Sequence, residues 1–230
     1  MTEILIIEEP VTTNFIEDLV HPHRFDGGLP VVHRLSGEGH VEEGREFLMA
    51  FLTHQAVFPL YVHFVDEYEL SEDFTTFFQQ HQIDYTVDDC DGNLKSFGYR
   101  RYNYYSCFTA KIKSPEDLRL VLNKTYWLAS ENVFYCISHS DSLTFEWGDF
   151  LEWGVKRRRS IAVFDFNASK TYITTDYDGL GFCILSRDTQ YTSLAGLIAS
   201  LPDQMVVTQI NDEVVEEDEM LHTEDQEEGI

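Results

Sequence analysis

The spacing of apolar residues predicts alternating strands and helices over the first half of the chain. In Glu42 to Gln55, for example, Phe47, Leu48, Phe51 and Leu52 recur on one helical face, and acidic residues occupy the first turn. The elements predicted before residue 113 are a strand at 4–7, a short helix at 12–20, a loop at 21–28, a helix at 42–55, a strand at 60–65, a helix from Ser71, and strands at 85–87 and 97–112.

The second half begins with a clear helix start, Ser114-Pro115-Glu116-Asp117, in which Pro occupies the first helical position and the acidic residues face the positive end of the dipole. This helix is expected to run to about residue 128. The later predictions are strands at 133–138, 143–147, 161–167, 172–175 and 182–186, a helix at 189–201, and a short strand at 205–207. Antiparallel hairpins with interleaved helices indicate an α+β fold. We expect one domain at 1–210, with a possible division near residue 112, and a disordered acidic tail at 211–230.

Charge is the strongest functional signal in the composition. The 230 residues include 41 acidic and 16 basic side chains, for a formal net charge of −25. The last twenty residues carry ten carboxylates and neither Lys nor Arg, which leaves a net charge of −15 on the other 210. Such a field repels phosphate, so we expect no nucleic acid and no membrane surface as a partner, and a basic protein instead.

The start of the chain has no basic segment followed by a long apolar run, so no signal peptide is predicted. The four cysteines, Cys90, Cys107, Cys136 and Cys183, form no C-x-x-C pair. Buried, reduced thiols in a cytoplasmic protein are therefore the expectation.

Motifs for catalysis, cofactors or metals are weak. The pair His21-x-His23 could supply two metal ligands, but nothing completes a recognised spacing. Asp176-x-Asp178-Gly179 resembles the start of a calcium loop, yet Arg187 stands where the bidentate Glu belongs, so a hairpin turn is predicted. We predict no cofactor, no metal and no catalytic residue, and an enzyme of unrecognised type stays an alternative.

An aromatic and basic segment, residues 97–105, is the candidate interaction strip. Strand alternation would place Tyr99, Arg101 and Tyr105 on one face and Tyr102 and Tyr104 on the other. Tyr and Arg are enriched among residues that dominate binding energy. The alternative is a central strand whose tyrosines fill the core.

The acidic tail supplies the second candidate contact, Glu216-Glu217-Asp218-Glu219. It could be a binding surface, a cover for the basic run Lys156-Arg157-Arg158-Arg159, or a solubility device. The basic run is predicted to form a surface turn that pairs with the protein's own carboxylates.

Within residues 169–185, the segment Tyr177-Asp178-Gly179-Leu180-Gly181 resembles the hairpin of an uncharacterised family of small bacterial proteins. That family shows a strand, Tyr-Asp-Asp-Arg-Gly, a second strand and a helix, and its members look like immunity or antitoxin proteins. Tyr177, Asp178 and Gly181 match the pattern, whereas Gly179 and Leu180 replace its Asp-Arg pair. The resemblance implies an inhibitor, although no role of that pair carries over.

Charge, surplus aromatic residues and this resemblance together predict a non-enzymatic, cytoplasmic inhibitor that binds and occludes a basic protein, such as a toxin acting on nucleic acid. The alternative is a DNA-mimic antagonist of a host defence or DNA-binding protein, with a phage as one source of the gene. A DNA mimic requires regularly spaced carboxylates on the folded body as well as in the tail.

Overall fold

The computed structural model describes residues 2–11, 21, 23–37, 39–90, 105–152, 155–211 and 213–215. The strands are β1 Thr2–Glu9, β2 His23–Asp26, β3 Val31–Gly37, β4 Leu60–Asp66, β5 Asp84–Cys90, β6 Tyr105–Ile112, β7 Tyr135–Ser138, β8 Thr144–Glu152, β9 Val155–Asp165, β10 Thr171–Thr175, β11 Gly181–Ser186, β12 Met205–Ile210 and β13 Glu213–Val214. The helices are α1 Val41–Gln55, α2 Ser71–Gln80, α3 Pro115–Thr125, α4 Trp127–Ser130 and α5 Leu194–Ala199, with a 3₁₀ turn at Tyr177–Gly179.

The described strands form two sheets. The larger sheet has the order β13-β12-β1-β3-β11-β10-β7-β4-β6-β5, and the smaller one has the order β2-β9-β8. Pairing is antiparallel except between β1 and β12 and between β2 and β9. The predicted α+β class with mostly antiparallel sheets is therefore confirmed. Strands from both sides of residue 112 alternate in the larger sheet, and the predicted domain boundaries stay a prediction.

Three layers enclose the core. Phe47 and Phe51 of α1 lie against Phe182 of β11, with ring centroids 4.7 and 5.4 Å apart, so the helices cover one face of the larger sheet. Tyr172 of β10 points to the opposite face, where its ring meets Phe164 of β9 at 5.1 Å. The small sheet therefore covers the other face, which makes the central strands apolar on both sides.

Two local predictions in this layer are wrong. Residues 23–26 form β2 and not a loop, because His23 and Phe25 are buried and the strand pairs in parallel with β9. Lys156 to Arg159 form no turn, since their backbone continues β9 opposite β8. Strand β3, which lies in the larger sheet, was not predicted because His33 and Arg34 interrupt its apolar pattern.

The cysteines depart in part from expectation. Cys136 and Cys183 are free and buried, as predicted. Cys107 is disulfide-bonded, so the expectation of reduced thiols is wrong for this residue. Disulfides are rare in a reducing cytoplasm. Within the described residues, no helix is both long and apolar enough to cross a lipid bilayer.

Candidate partner-binding surface

Tyr105 is the one residue of the predicted interaction strip that the structure describes. Tyr99, Arg101, Tyr102 and Tyr104 lie outside the described residues, and so do Glu216, Glu217, Asp218 and Glu219 of the tail. Tyr105 begins β6 and is half-buried. Burial raises the pKa of its hydroxyl, and the charges of Glu67 and Glu69 raise it further. The next residue, Ser106, pairs with Asp66 at the end of β4, so Tyr105 lies near the acidic loop between β4 and α2.

That loop carries an exposed aromatic residue that meets another from a different part of the chain. The rings of Tyr68, in the loop, and Trp127, at the start of α4, cross at 60° with centroids 5.2 Å apart. Tyr68 is 46% exposed and Trp127 is 37% exposed, although most aromatic side chains that the structure describes are buried. The Tyr68 hydroxyl donates a hydrogen bond to Glu131 Oε2 over 3.3 Å. We call Tyr68, Trp127 and the surrounding Glu67, Glu69 and Glu131 the Tyr68–Trp127 surface.

A buried carboxylate at the end of β4 fixes the loop that holds Tyr68. Asp66 is 2% exposed. Its Oδ1 accepts a hydrogen bond from the Tyr68 backbone N–H (3.2 Å), and its Oδ2 accepts one from the Ser71 hydroxyl (2.7 Å). The Asp66 side chain thus accepts hydrogen bonds from both ends of the loop. Ser71 is the first residue of α2, and its N-cap is Leu70.

Trp127 is positioned by the buried residue before it. Tyr126 is buried and donates a hydrogen bond to the Gly179 carbonyl over 3.0 Å. The preceding helix, α3, is tied to α2 by the ion pair of Lys124 with Asp73 at 2.5 Å. These contacts hold the α3–α4 junction against two neighbours, so Trp127 projects outward from a supported backbone.

Within the described segments, the carboxylates of this surface have no cationic partner. Among the described residues, Glu67 and Glu69 make no side-chain hydrogen bond or ion pair, and Glu131 bonds only to Tyr68. Partial desolvation raises the pKa of Glu67. Carboxylates with no cationic partner among the described residues, next to two exposed rings, form a surface that favours a cation with apolar character.

A second exposed pair lies in and directly after the 3₁₀ turn that contacts α4. Tyr177 and Leu180 are 49% and 38% exposed, and they belong to the segment that resembles the immunity-type hairpin. The segment forms the predicted hairpin turn, in which Asp176 accepts a hydrogen bond from the Tyr177 N–H. A Cβ at Gly181 would lie 2.3 Å from the Leu35 carbonyl, so this Gly permits close packing of the strands.

An open groove of about 650 Å³ lies between the start of β1, α1 and the residues before β12. Phe47, Ala50 and Met205 contribute its apolar lining. Its carboxylates are those of Glu3, Glu42, Glu43 and Glu46. Surplus negative charge is therefore present on the folded body as well as in the tail.

The buried histidines offer little for catalysis. His63 Nε2 lies 2.9 Å from Ser138 Oγ, as in a nucleophile–base pair, and Nδ1 lies 3.0 Å from Thr109 Oγ1. However, His63 is 1% exposed and Ser138 is 2% exposed, so no substrate reaches them. Burial also lowers the pKa of His63 to about 4. His63, Thr109 and Ser138 thus link three strands inside the core.

A cavity of about 20 Å³ is lined by His21, His23, Thr174 and Asp176, among others. This volume admits about one water molecule and no organic substrate. His21 Nε2 lies 2.9 Å from the Asn132 carbonyl oxygen, and burial lowers its pKa to about 4. In the part of the chain that the structure describes, no three His, Cys, Asp or Glu side chains are placed to hold a metal ion.

Sequence reasoning missed the Tyr68–Trp127 surface. The available signal was Asp66-Glu67-Tyr68-Glu69, an aromatic residue between carboxylates at the end of a strand. Trp127 gave no comparable signal, because it falls inside a helical pattern.

No family model matches the chain, and neither the curated proteins nor the solved structures contain a match.

Proposed function

We propose that this protein is a non-enzymatic acidic inhibitor that binds and occludes a basic protein, in the manner of an immunity protein or antitoxin. The observation that carries the proposal is the Tyr68–Trp127 surface, where exposed rings lie beside carboxylates that have no cationic partner among the described residues. The net charge of −25 supports it. The resemblance of residues 169–185 to immunity-type hairpins points to the same class.

The mechanism would be occlusion of a phosphate-binding surface. Carboxylates of the inhibitor would pair with the Lys and Arg that a nucleic-acid-directed toxin uses for phosphate, and the aromatic residues would fix the pose. Charge complementarity accelerates encounter and disfavours wrong partners. A target of this kind acts in the cytoplasm, where we place the inhibitor. The disulfide at Cys107 is the observation that weighs against this location.

The test uses basic proteins encoded beside this gene. Each is expressed with and without the inhibitor, growth is recorded, and association of the purified pair is measured at rising ionic strength. We expect growth to be rescued and the association rate to fall by about tenfold or more between about 20 and 300 mM salt. An association rate that does not depend on salt would reject the electrostatic mechanism.

The groove lined by Glu3, Glu42, Glu43 and Glu46 favours a second candidate, a DNA-mimic antagonist, because it places carboxylates on the folded body. A DNA mimic and DNA occupy the same site on their target. Competition by duplex DNA for the captured partner, together with loss of binding on substitution of these glutamates, would favour this candidate. Loss of binding on substitution of Trp127 alone would favour the first.

A further inference from the structure

We propose that the Tyr68–Trp127 surface is a docking site for an arginine side chain of the basic partner. The inference rests on the proposed function and specifies the group that this surface recognises. Its basis is the juxtaposition of two exposed aromatic rings with carboxylates that have no cationic partner in the described part of the chain.

The rings provide a stacking platform suited to a planar cation. Tyr68 and Trp127 cross at 60°, so each ring keeps part of its surface open to solvent. A guanidinium is planar and weakly hydrated, and it stacks on Trp and Tyr more readily than an ammonium does. Arg therefore fits the platform better than Lys.

The carboxylates provide acceptors for the guanidinium fork. Glu131 already orients the Tyr68 hydroxyl, which places a carboxylate at the edge of the ring pair. Glu67 and Glu69 flank Tyr68 in sequence and make no competing ion pair among the described residues. A guanidinium stacked on the rings would donate to one of these carboxylates, whereas an apolar side chain would leave them desolvated and unpaired.

Charge excludes the other common occupants of an exposed aromatic patch. Phosphate groups of nucleic acid or lipid would face three carboxylates and a net charge of −25. A second copy of this chain carries the same charge, so self-association through this surface is electrostatically unfavourable.

The experiment compares two peptides of equal charge, nona-arginine and nona-lysine, binding to the full chain at low ionic strength. We expect nona-arginine to bind about threefold to tenfold more tightly, the range that a cation–π contact supplies. The indole N–H resonance of Trp127, assigned with Trp127→Phe, should shift with nona-arginine. Trp127→Ala and Tyr68→Ala should lower nona-arginine affinity to that of nona-lysine.

Matched controls lie away from the surface. Leu120→Ala removes an equally exposed apolar side chain from α3, and Glu213→Gln removes one exposed charge from β13. Neither should change the preference for arginine. If Trp127→Ala fails to fold by circular dichroism, Glu67→Gln combined with Glu131→Gln replaces it, since both positions are exposed.

The outcomes separate the two proposals. The arginine site is overturned if the two peptides bind with equal affinity, or if the arginine preference survives Trp127→Ala and the Glu67/Glu131 double substitution. Either result leaves the acidic-inhibitor proposal standing. Failure of both peptides to bind at about 20 mM salt overturns the arginine site and removes the electrostatic support for the proposed function.

Discussion

Asn132 and Asp178 are joined by two reciprocal hydrogen bonds. Asn132 Nδ2 donates to Asp178 Oδ1 over 2.8 Å, and the backbone N–H of Asp178 donates to Asn132 Oδ1 over 2.9 Å. Both residues have left-handed backbones, with φ of 57° and 56°. The pair fastens the turn after α4 to the turn between β10 and β11, so it supports the helix that presents Trp127.

Substitution of Asp178 tests this pair. Asp178→Ala deletes one acceptor and places Ala in a left-handed conformation, so we expect a loss of about 1–2 kcal/mol in the free energy of unfolding. Asp178→Asn keeps an acceptor and tolerates positive φ, so it should be nearly neutral. Urea denaturation measures both. Equal losses for the two variants would show that the side-chain bond contributes little.

Gly44 of α1 packs closely against Gly179, in the turn between β10 and β11. A Cβ on Gly44 would lie 2.2 Å from the Gly179 carbonyl oxygen, which belongs to a backbone that Tyr126 already holds. We expect Gly44→Ala to destabilise the fold by about 2 kcal/mol or more, because the helix must move away. The control is Gly37→Ala, whose nearest contact would be an ordinary 3.5 Å. Similar thermal midpoints for the two variants would contradict this packing.

Sequence patterns predicted the elements whose signals are local. The helix at Pro115 follows from its cap, and the Ser114 hydroxyl indeed accepts a hydrogen bond from the Asp117 N–H. Strand β2 escaped prediction because its partner, β9, lies more than one hundred residues away and because the surrounding segment, 21–28, is rich in turn residues. A pairing of that kind leaves no local pattern.

The candidate surface escaped prediction for a related reason. Tyr68 and Trp127 are fifty-nine positions apart in the sequence and meet only through the packing of α3 beside α2. Composition could predict surplus aromatic residues on an acidic surface, yet it could not select which of them remain exposed. The segments chosen from composition, 97–104 and 216–219, lie outside the described residues.

Acid should weaken the fold through buried histidines. Burial lowers the pKa of His63 to about 4, below its ordinary 6.5. Between these two pH values the unfolded chain binds a proton at His63, whereas the folded chain keeps it neutral. The stability that neutral His63 contributes is complete above about pH 6.5 and declines as the pH falls toward 4. Well below pH 4, where His63 is protonated in both states, the resulting loss in the free energy of unfolding amounts to about 3 kcal/mol.

The variant His63→Gln isolates this effect, because it cannot titrate. Its free energy of unfolding should fall less steeply than that of the parent between pH 6.5 and 4, whatever its absolute stability. Part of the slope should remain, since burial lowers the pKa of His21 to about 4 as well. Parallel pH profiles for parent and variant would show that the pKa of His63 does not differ between the folded and unfolded chains.

Thiol labelling tests the buried cysteines. Cys136 and Cys183 are at most 1% exposed, and burial raises the pKa of Cys183 to about 12. A neutral, inaccessible thiol reacts slowly, so we expect iodoacetamide to leave both residues unmodified in the native protein and to modify both in urea. Peptide mapping by mass spectrometry reads the sites. Rapid native labelling of either residue would place it at the surface.

Truncation after Val215 separates the charge of the tail from that of the folded body. It removes eight carboxylates and no basic residue, so the formal net charge changes from −25 to −17. Strand β13 and the hydrogen bond from the Val215 N–H to Thr208 remain, and we therefore expect an unchanged thermal midpoint.

Long-range attraction scales with net charge and is screened by salt. The association rate with nona-arginine should fall severalfold at about 20 mM salt and match that of the full chain at about 300 mM. The preference for arginine over lysine belongs to Tyr68 and Trp127 and should survive. An association rate that truncation leaves unchanged at low salt would assign the tail to solubility alone.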